Sequence, residues 1–317
     1  MPPPSSVSQR RRPPARSKST QAAQPENLRE YAAAWNDYEL LDAGGGRKLE
    51  RWGEVLTIRP EINAAGAALW PLAQWRELAH WEFVETSPTQ GRWQKLRPDA
   101  PESWSIAYRQ LRFNLKLTQF KHVGLFPEQQ ANWHFIAERV AAGARILNLF
   151  AYTGAASLVA RAAGAEVTHV DSVRQMLDWA NANQASSGLT DIKWVLEDAL
   201  KFAGRELKRG KRYDGIVMDP PAWGLGANGE KWKLENQLPR LAETARGLLQ
   251  PGGFLVLNTY SPKVGLQELA AAAGRILPRP KAKPGNCGRA AGPATACITA
   301  IYCAPWFKRP PQCRLLG

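Results

Sequence analysis

Hydrophobic and polar residues change rhythm once along this chain. Between residue 37 and about residue 122 the period is two. Glu54-Val55-Leu56-Thr57-Ile58-Arg59, Trp81-Glu82-Phe83-Val84 and Trp104-Ser105-Ile106-Ala107-Tyr108 alternate as half-buried antiparallel strands do. Ala43-Gly44-Gly45-Gly46 and Gln90-Gly91 read as turns between strands. The same stretch carries Trp52, Trp70, Trp75, Trp81, Trp93 and Trp104. Rings of this size more often fill a core than stand exposed to stack on bases. The expectation is a small β-rich domain over 37–122.

From Pro127 onward helices and strands alternate. Proline opens a helix running to about Ala142, in a first turn where its missing N–H costs nothing, with Trp133, Ile136 and Val140 on one side. Apolar strands are expected at 145–150, 166–170, 192–196, 213–218 and 253–258. Helices fall between them, from Ala155 and over about 173–185, 199–208 and 236–249. Strands separated by helices predict an α/β domain, a doubly wound, Rossmann-like parallel sheet over 123–278.

The ends of the chain have a different texture. Residues 1–36 are rich in Pro, Ser, Gln and Arg and read as a disordered basic leader without the apolar segment of a signal peptide. Residues 279–317 read as an irregular tail. Its four cysteines, Cys287, Cys297, Cys303 and Cys313, match no zinc or redox spacing and are assigned no chemistry, and no metal is expected. The tail also reads as frameshifted: with GC-rich codons, Ile298 to Phe307 respelled two bases along becomes a more strand-like segment. Net charge is +14, which by itself points to a polyanion such as nucleic acid. The location of the charge weakens that argument, because residues 1–27 carry +4 and residues 279–317 carry +7, leaving +3 for the body. No apolar run is long enough to span a bilayer, so the reading places the protein in the cytoplasm with no membrane partner.

Parallel sheets of this kind bind ligands beyond the carboxyl ends of their strands. Those ends supply Phe150-Ala151-Tyr152-Thr153-Gly154, Asp171, Asp198, Asp219 and Asn258-Thr259-Tyr260. A dinucleotide site wants three glycines in the first loop so that a pyrophosphate can approach the helix end, and only Gly154 is present. S-adenosylmethionine carries no phosphate. It needs a close backbone approach, a carboxylate for the ribose hydroxyls, which Asp171 fits, and an acceptor for the adenine amino group, which Asp198 fits. Each aspartate alone is more simply a helix N-cap. Three at consecutive strand ends beside a one-glycine loop favour the cofactor.

The residues His122 to Gln130, Leu147 to Gly154, Val170-Asp171-Ser172 and Met218-Asp219-Pro220-Pro221-Ala222-Trp223-Gly224 resemble class I S-adenosylmethionine-dependent methyltransferases. They resemble more closely the bacterial 23S ribosomal RNA methyltransferases RlmI and RlmK. The resemblance spans roughly 37 to 270 and implies ribosomal RNA as partner. It implies that Phe150, Ala151, Tyr152, Thr153 and Gly154 line the methionine end, Asp171 and Ser172 the ribose, and Asp198 and Ala199 the adenine. Asp219, Pro220, Pro221 and Trp223 then stand at the acceptor. It also implies an antiparallel hairpin after the fifth strand, from which the tail departs.

The acceptor chemistry follows from Asp219-Pro220-Pro221. Proline removes a backbone donor and holds the preceding residue extended. A carboxylate and a carbonyl are thereby offered to an amino group, with Trp223 to stack on a flat base. Relatives that methylate a cytosine ring carbon first add a cysteine thiolate, and here Asn258-Thr259-Tyr260-Ser261 occupies that place with no cysteine before Cys287. A nitrogen acceptor is therefore favoured. A nucleotide-binding oxidoreductase and a catalytically silent RNA-binding relative are the alternatives.

Overall fold

The computed structural model describes residues 35–87, 90–225, 231–276 and 298–302. The first sheet is built from β1 (Tyr38–Gly44), β2 (Arg47–Trp52), β3 (Val55–Pro60), β4 (Trp81–Ser87) and β5 (Gln90–Lys95), in that order. Helix α1 (Leu72–Leu78) crosses between β3 and β4, which therefore run parallel, while the other neighbours are antiparallel. Gly45 and Gly46, at φ 57° and 76°, make the expected turn between β1 and β2. Gln90-Gly91 is not a turn. It begins β5, with Gly91 paired to Glu85 and lying so close to the Phe83 ring that a side chain would collide with it. The glycine serves packing there rather than backbone freedom. Arg59 and Glu50 form a buried two-bond ion pair across β3 and β2, at 2.6 and 2.8 Å.

Strands β6 (Ser103–Tyr108) and β7 (Leu111–Lys116) make a separate hairpin. Its inward residues Ile106, Tyr108, Phe113 and Leu115 share one core with Trp133, Ile136, Leu158 and Val256 of the α/β body. Trp35, at the end of the expected leader, joins this core. Its Nε1 donates to the Ala107 carbonyl at 2.5 Å, and its ring meets those of Tyr108 and Trp133. Residues 1–34 lie outside the described residues.

A 3₁₀ turn (Pro127–Gln129) leads into α2 (Gln130–Arg139). Then come β8 (Arg145–Leu149), α3 (Ala155–Ala162), β9 (Glu166–Asp171), α4 (Arg174–Ser186), β10 (Ile192–Leu196), α5 (Ala199–Lys208) and β11 (Tyr213–Met218). A small hairpin of β12 (Trp223–Leu225) and β13 (Lys231–Lys233) precedes α6 (Leu234–Leu248), β14 (Leu249–Thr259), α7 (Leu266–Ile276) and β15 (Ile298–Tyr302). The large sheet has the order β10-β9-β8-β11-β14-β15 and is parallel throughout. Alternate residues of each strand feed two cores. Leu147, Leu149, Ile216, Met218, Leu255 and Leu257 face α5, α6 and α7, while Ile146, Val217 and Val256 face α2, α3 and the hairpin. Strand order reverses between β8 and β11, which opens the ligand crevice there.

The tail differs from its expectation at one place. Ile298–Tyr302 as written forms β15, in register from Leu255↔Ile298 to Thr259↔Tyr302, so no respelling is needed to give a strand there. Ile-Thr-Ala-Ile-Tyr is rich in β-branched and aromatic residues, and it adds to the edge of β14. The neighbour of β14 is thus parallel, where the resemblance implied an antiparallel hairpin. Residues 277–297 and 303–317, with all four cysteines, lie outside the described residues.

Candidate active site

The turn after β8 is strained. Phe150 and Tyr152 take left-handed backbone conformations, φ 56° and 51°, and Gly154 follows at φ 88°. Non-glycine residues in that region cost about 1 kcal/mol or more each and persist only where surroundings hold them. The surroundings are visible. Ala151 N donates to Val170 O (3.1 Å), Tyr152 N to Asp171 Oδ2 (2.9 Å) and Gly154 N to Ala151 O (3.0 Å). Thr153 is buried, its hydroxyl donating to the Gly124 carbonyl (2.6 Å) while its own carbonyl accepts from Asn183 Nδ2 (3.0 Å). Thr153 is therefore an internal strut of the loop. Beneath it Asn148, Ser157 and His169 form a buried chain of hydrogen bonds at 2.9 and 3.0 Å, and burial pushes His169 down to about 3, so the ring is neutral.

Asp171 ends β9 and ties two strand ends together. One oxygen accepts from Tyr152 N and the other from Val173 N, both at 2.9 Å. Burial raises its pKa, partly offset by these backbone donors and that of Ser172. Ser172 is exposed beside it. Asp198 caps α5, accepting from Lys201 N at 2.8 Å, and Ala199 is buried in the first turn. This is the ordinary use of an aspartate before a helix. It occupies one carboxyl oxygen in the cap.

Asp219 sits across the crevice, its N–H reaching Leu149 O of β8 at 3.5 Å. The residue keeps some contact with solvent, while the chain packs closely around its carboxyl. Burial pushes it up to about 7. Asn258 Nδ2, donating to Oδ1 at 2.9 Å, pulls the other way, and the negative charge of Glu128 adds to the rise. Pro220 is buried and Pro221 exposed. The Pro221 carbonyl accepts from Trp232 Nε1 (2.6 Å), and the Trp232 ring lies 5.2 Å from Phe150. Trp223 is 58% exposed on β12, an uncovered indole at the rim.

Sequence reasoning missed Trp232, Phe126 and Glu128. The Phe126 ring stands 5.5 Å from Tyr152 and 5.4 Å from Tyr260. The Tyr260 hydroxyl donates to Glu128 Oε1 (3.1 Å) and accepts from Gln129 Nε2 (2.9 Å). Phe126 and Glu128 flank the proline that signalled a helix start, and in sequence that signal stood for the whole segment.

The acids at these strand ends are Asp171, Glu197, Asp198 and Asp219, with Glu128 nearby, and of these Glu197 is matched by Arg205 through two bonds of 2.6 Å. Such a rim repels a pyrophosphate and suits a cationic adenosyl sulfonium with a ribose diol and an adenine amino group. The residues present therefore fit S-adenosylmethionine, with Asp171 and the 150–154 turn as the candidate holders.

Comparison with known proteins agrees. Residues 50–280 match the family described as S-adenosylmethionine-dependent methyltransferase. The crystal structure of the SAM-dependent methyltransferase from Agrobacterium tumefaciens is 39% identical with a TM-score of 0.71, covering 76% of this chain and 78% of that one. The structure of SMU.776, complexed with SAH, shares the fold with a TM-score of 0.64 at 20% identity, covering 78% and 67%. The Ribosomal RNA large subunit methyltransferase K/L of Methylococcus capsulatus is 32% identical over 168 residues, 51% of this chain and 22% of that protein. The chain spans about a fifth of the length of the curated relatives it matches.

Proposed function

This chain belongs to the S-adenosylmethionine-dependent methyltransferase family, and from that premise we propose that it methylates a nucleobase of ribosomal RNA at nitrogen. The observation that carries the acceptor is Asp219: a closely packed carboxyl whose partner is the neutral amide of Asn258, at the mouth of a Pro-Pro turn facing the 150–154 loop. The large-subunit names of the relatives support an RNA substrate. The stretch after β14, without cysteine, supports nitrogen.

Bound S-adenosylmethionine supplies a methyl group on a positively charged sulfur. The chain's own work is binding and positioning. In this reading the 150–154 turn holds the methionine end, Asp171 the ribose and Asp198 with Ala199 the adenine. Asp219 accepts hydrogen bonds from an amino group of the base, while the ring stacks on Trp223. Holding two reactants in line is worth about 7–11 kcal/mol of barrier at best, which makes rigid support of these groups the main catalytic asset. A base inside a duplex is flipped out to reach the site. Such a substrate places the work in the cytoplasm, and among the described residues no helix is long and apolar enough to cross a membrane.

Tritiated S-adenosylmethionine with unmodified ribosomal RNA tests the reading. Label is expected in the RNA, and Asp219→Ala should abolish transfer while largely sparing cofactor binding measured by calorimetry. Wild-type protein that binds the cofactor but labels no RNA would overturn it.

A further inference from the structure

Asn258 and Tyr260 leave the end of β14 together, and each holds a carboxylate. Asn258 bonds Asp219 at 2.9 Å, and the Tyr260 hydroxyl bonds Glu128 at 3.1 Å, a contact between residues 132 positions apart. Gln129 fixes the same hydroxyl from the other side at 2.9 Å. Phe126 is packed against both Tyr152 of the cofactor turn and Tyr260, which clamps the 126–129 turn at the mouth of the crevice. Glu128 is half-buried there; among the described residues its hydrogen-bond partner is a phenol, and the buried Arg59 feels its charge without bonding it. Its charge also reaches Asp219, adding to the rise that burial gives that carboxyl.

We infer that Glu128 is a second acceptor in the base site, opposite Asp219, and that the methylated base is an amino-bearing one. The inference rests on the RNA reading above. Two carboxylates facing one opening attract a base edge with at least two N–H donors and repel one that presents carbonyl oxygens. Guanine, adenine and cytosine, with their exocyclic amines, meet that demand. Uracil, with two carbonyls around one N–H, does not.

Steady-state kinetics of Glu128→Gln with tritiated cofactor and ribosomal RNA test this. The substitution keeps shape and replaces one accepting oxygen by a donor. The kcat/KM for RNA should fall roughly 10- to 100-fold, the usual cost of losing a hydrogen bond to a charged group. The dissociation constant of S-adenosylmethionine should stay unchanged, which also reports correct folding. Tyr260→Phe, which frees Glu128 without removing it, should show a smaller loss in the same parameter. Digestion of the product and mass spectrometry should find the methyl on an amino-bearing nucleoside. Wild-type kinetics in Glu128→Gln, an equal loss of cofactor affinity, or methylated uridine would each overturn the inference while leaving the RNA reading standing. Wild-type protein that labels no RNA would sink both.

Discussion

Replacing Asp219 by asparagine should make the protein more stable above neutral pH while removing its activity. The asparagine keeps the oxygen that Asn258 bonds, so packing and the hydrogen bond survive. What disappears is an enclosed carboxyl whose pKa is about 7 in the folded chain, pushed up first by burial, against about 3.9 when unfolded. Between those values the native state holds one proton more than the unfolded chain, so stability conferred at low pH is lost as pH rises, by about 1.4 kcal/mol per unit. Over the window this reaches about 4 kcal/mol, and solvent contact at the rim lowers it to about 2–4 kcal/mol. The substituted amide cannot titrate. The difference in unfolding free energy, variant minus wild type, should therefore grow by about 2–4 kcal/mol from pH 4 to pH 8. Urea unfolding followed by tryptophan fluorescence at several pH values measures it. A difference that stays flat, or that grows toward acid, would refute the reasoning.

Two further outcomes follow. Asp171→Asn turns one acceptor of the pair of backbone bonds from Tyr152 and Val173 into a donor; S-adenosylmethionine affinity by calorimetry should drop roughly 10- to 100-fold as the turn loses its brace. Glu50→Gln should destabilise by about 3–5 kcal/mol in thermal unfolding, because Arg59 is left buried with its charge unmatched. Burial alone would raise the Glu50 pKa, but Arg59 overrides it and sets it at about 2; this contribution is full above the unfolded value near 4.5 and lost only as pH falls through 2.

The α/β half was legible because central parallel strands buried on both faces, such as β11 and β14, read as apolar runs, and the strands β9, β11 and β14 lead into a polar residue at the crevice. Asp171 and Asp219 declared themselves in this way. Other elements were hidden for opposite reasons. Gln90-Gly-Arg-Trp-Gln-Lys shows almost no apolar face because β5 is the exposed edge of its sheet, and its glycine mimics a turn. The short β12–β13 hairpin is too small to leave a period, so Trp232 escaped notice beside the better framed Trp223. Glu128 and Tyr260 meet only through the fold, 132 positions apart, and no local pattern announces such a pair. Asp198 carries two readings at once: one carboxyl oxygen caps the helix it precedes, and the other oxygen is the one the proposed adenine contact concerns.

Asn183 on α4 touches two remote parts of the chain: its oxygen receives the backbone N–H of Asn114 on the free edge of β7, and its amide reaches the Thr153 carbonyl in the cofactor turn. Trp179 and Ser187 stitch the same edge with bonds of 2.7 and 3.0 Å. A protein engineer who trimmed the molecule down to its α/β half by cutting after β7 would thus remove a wall of that half along with the appendage. A cut in the connector between β5 and β6 would still take Trp35 and Trp52 out of the core that half shares.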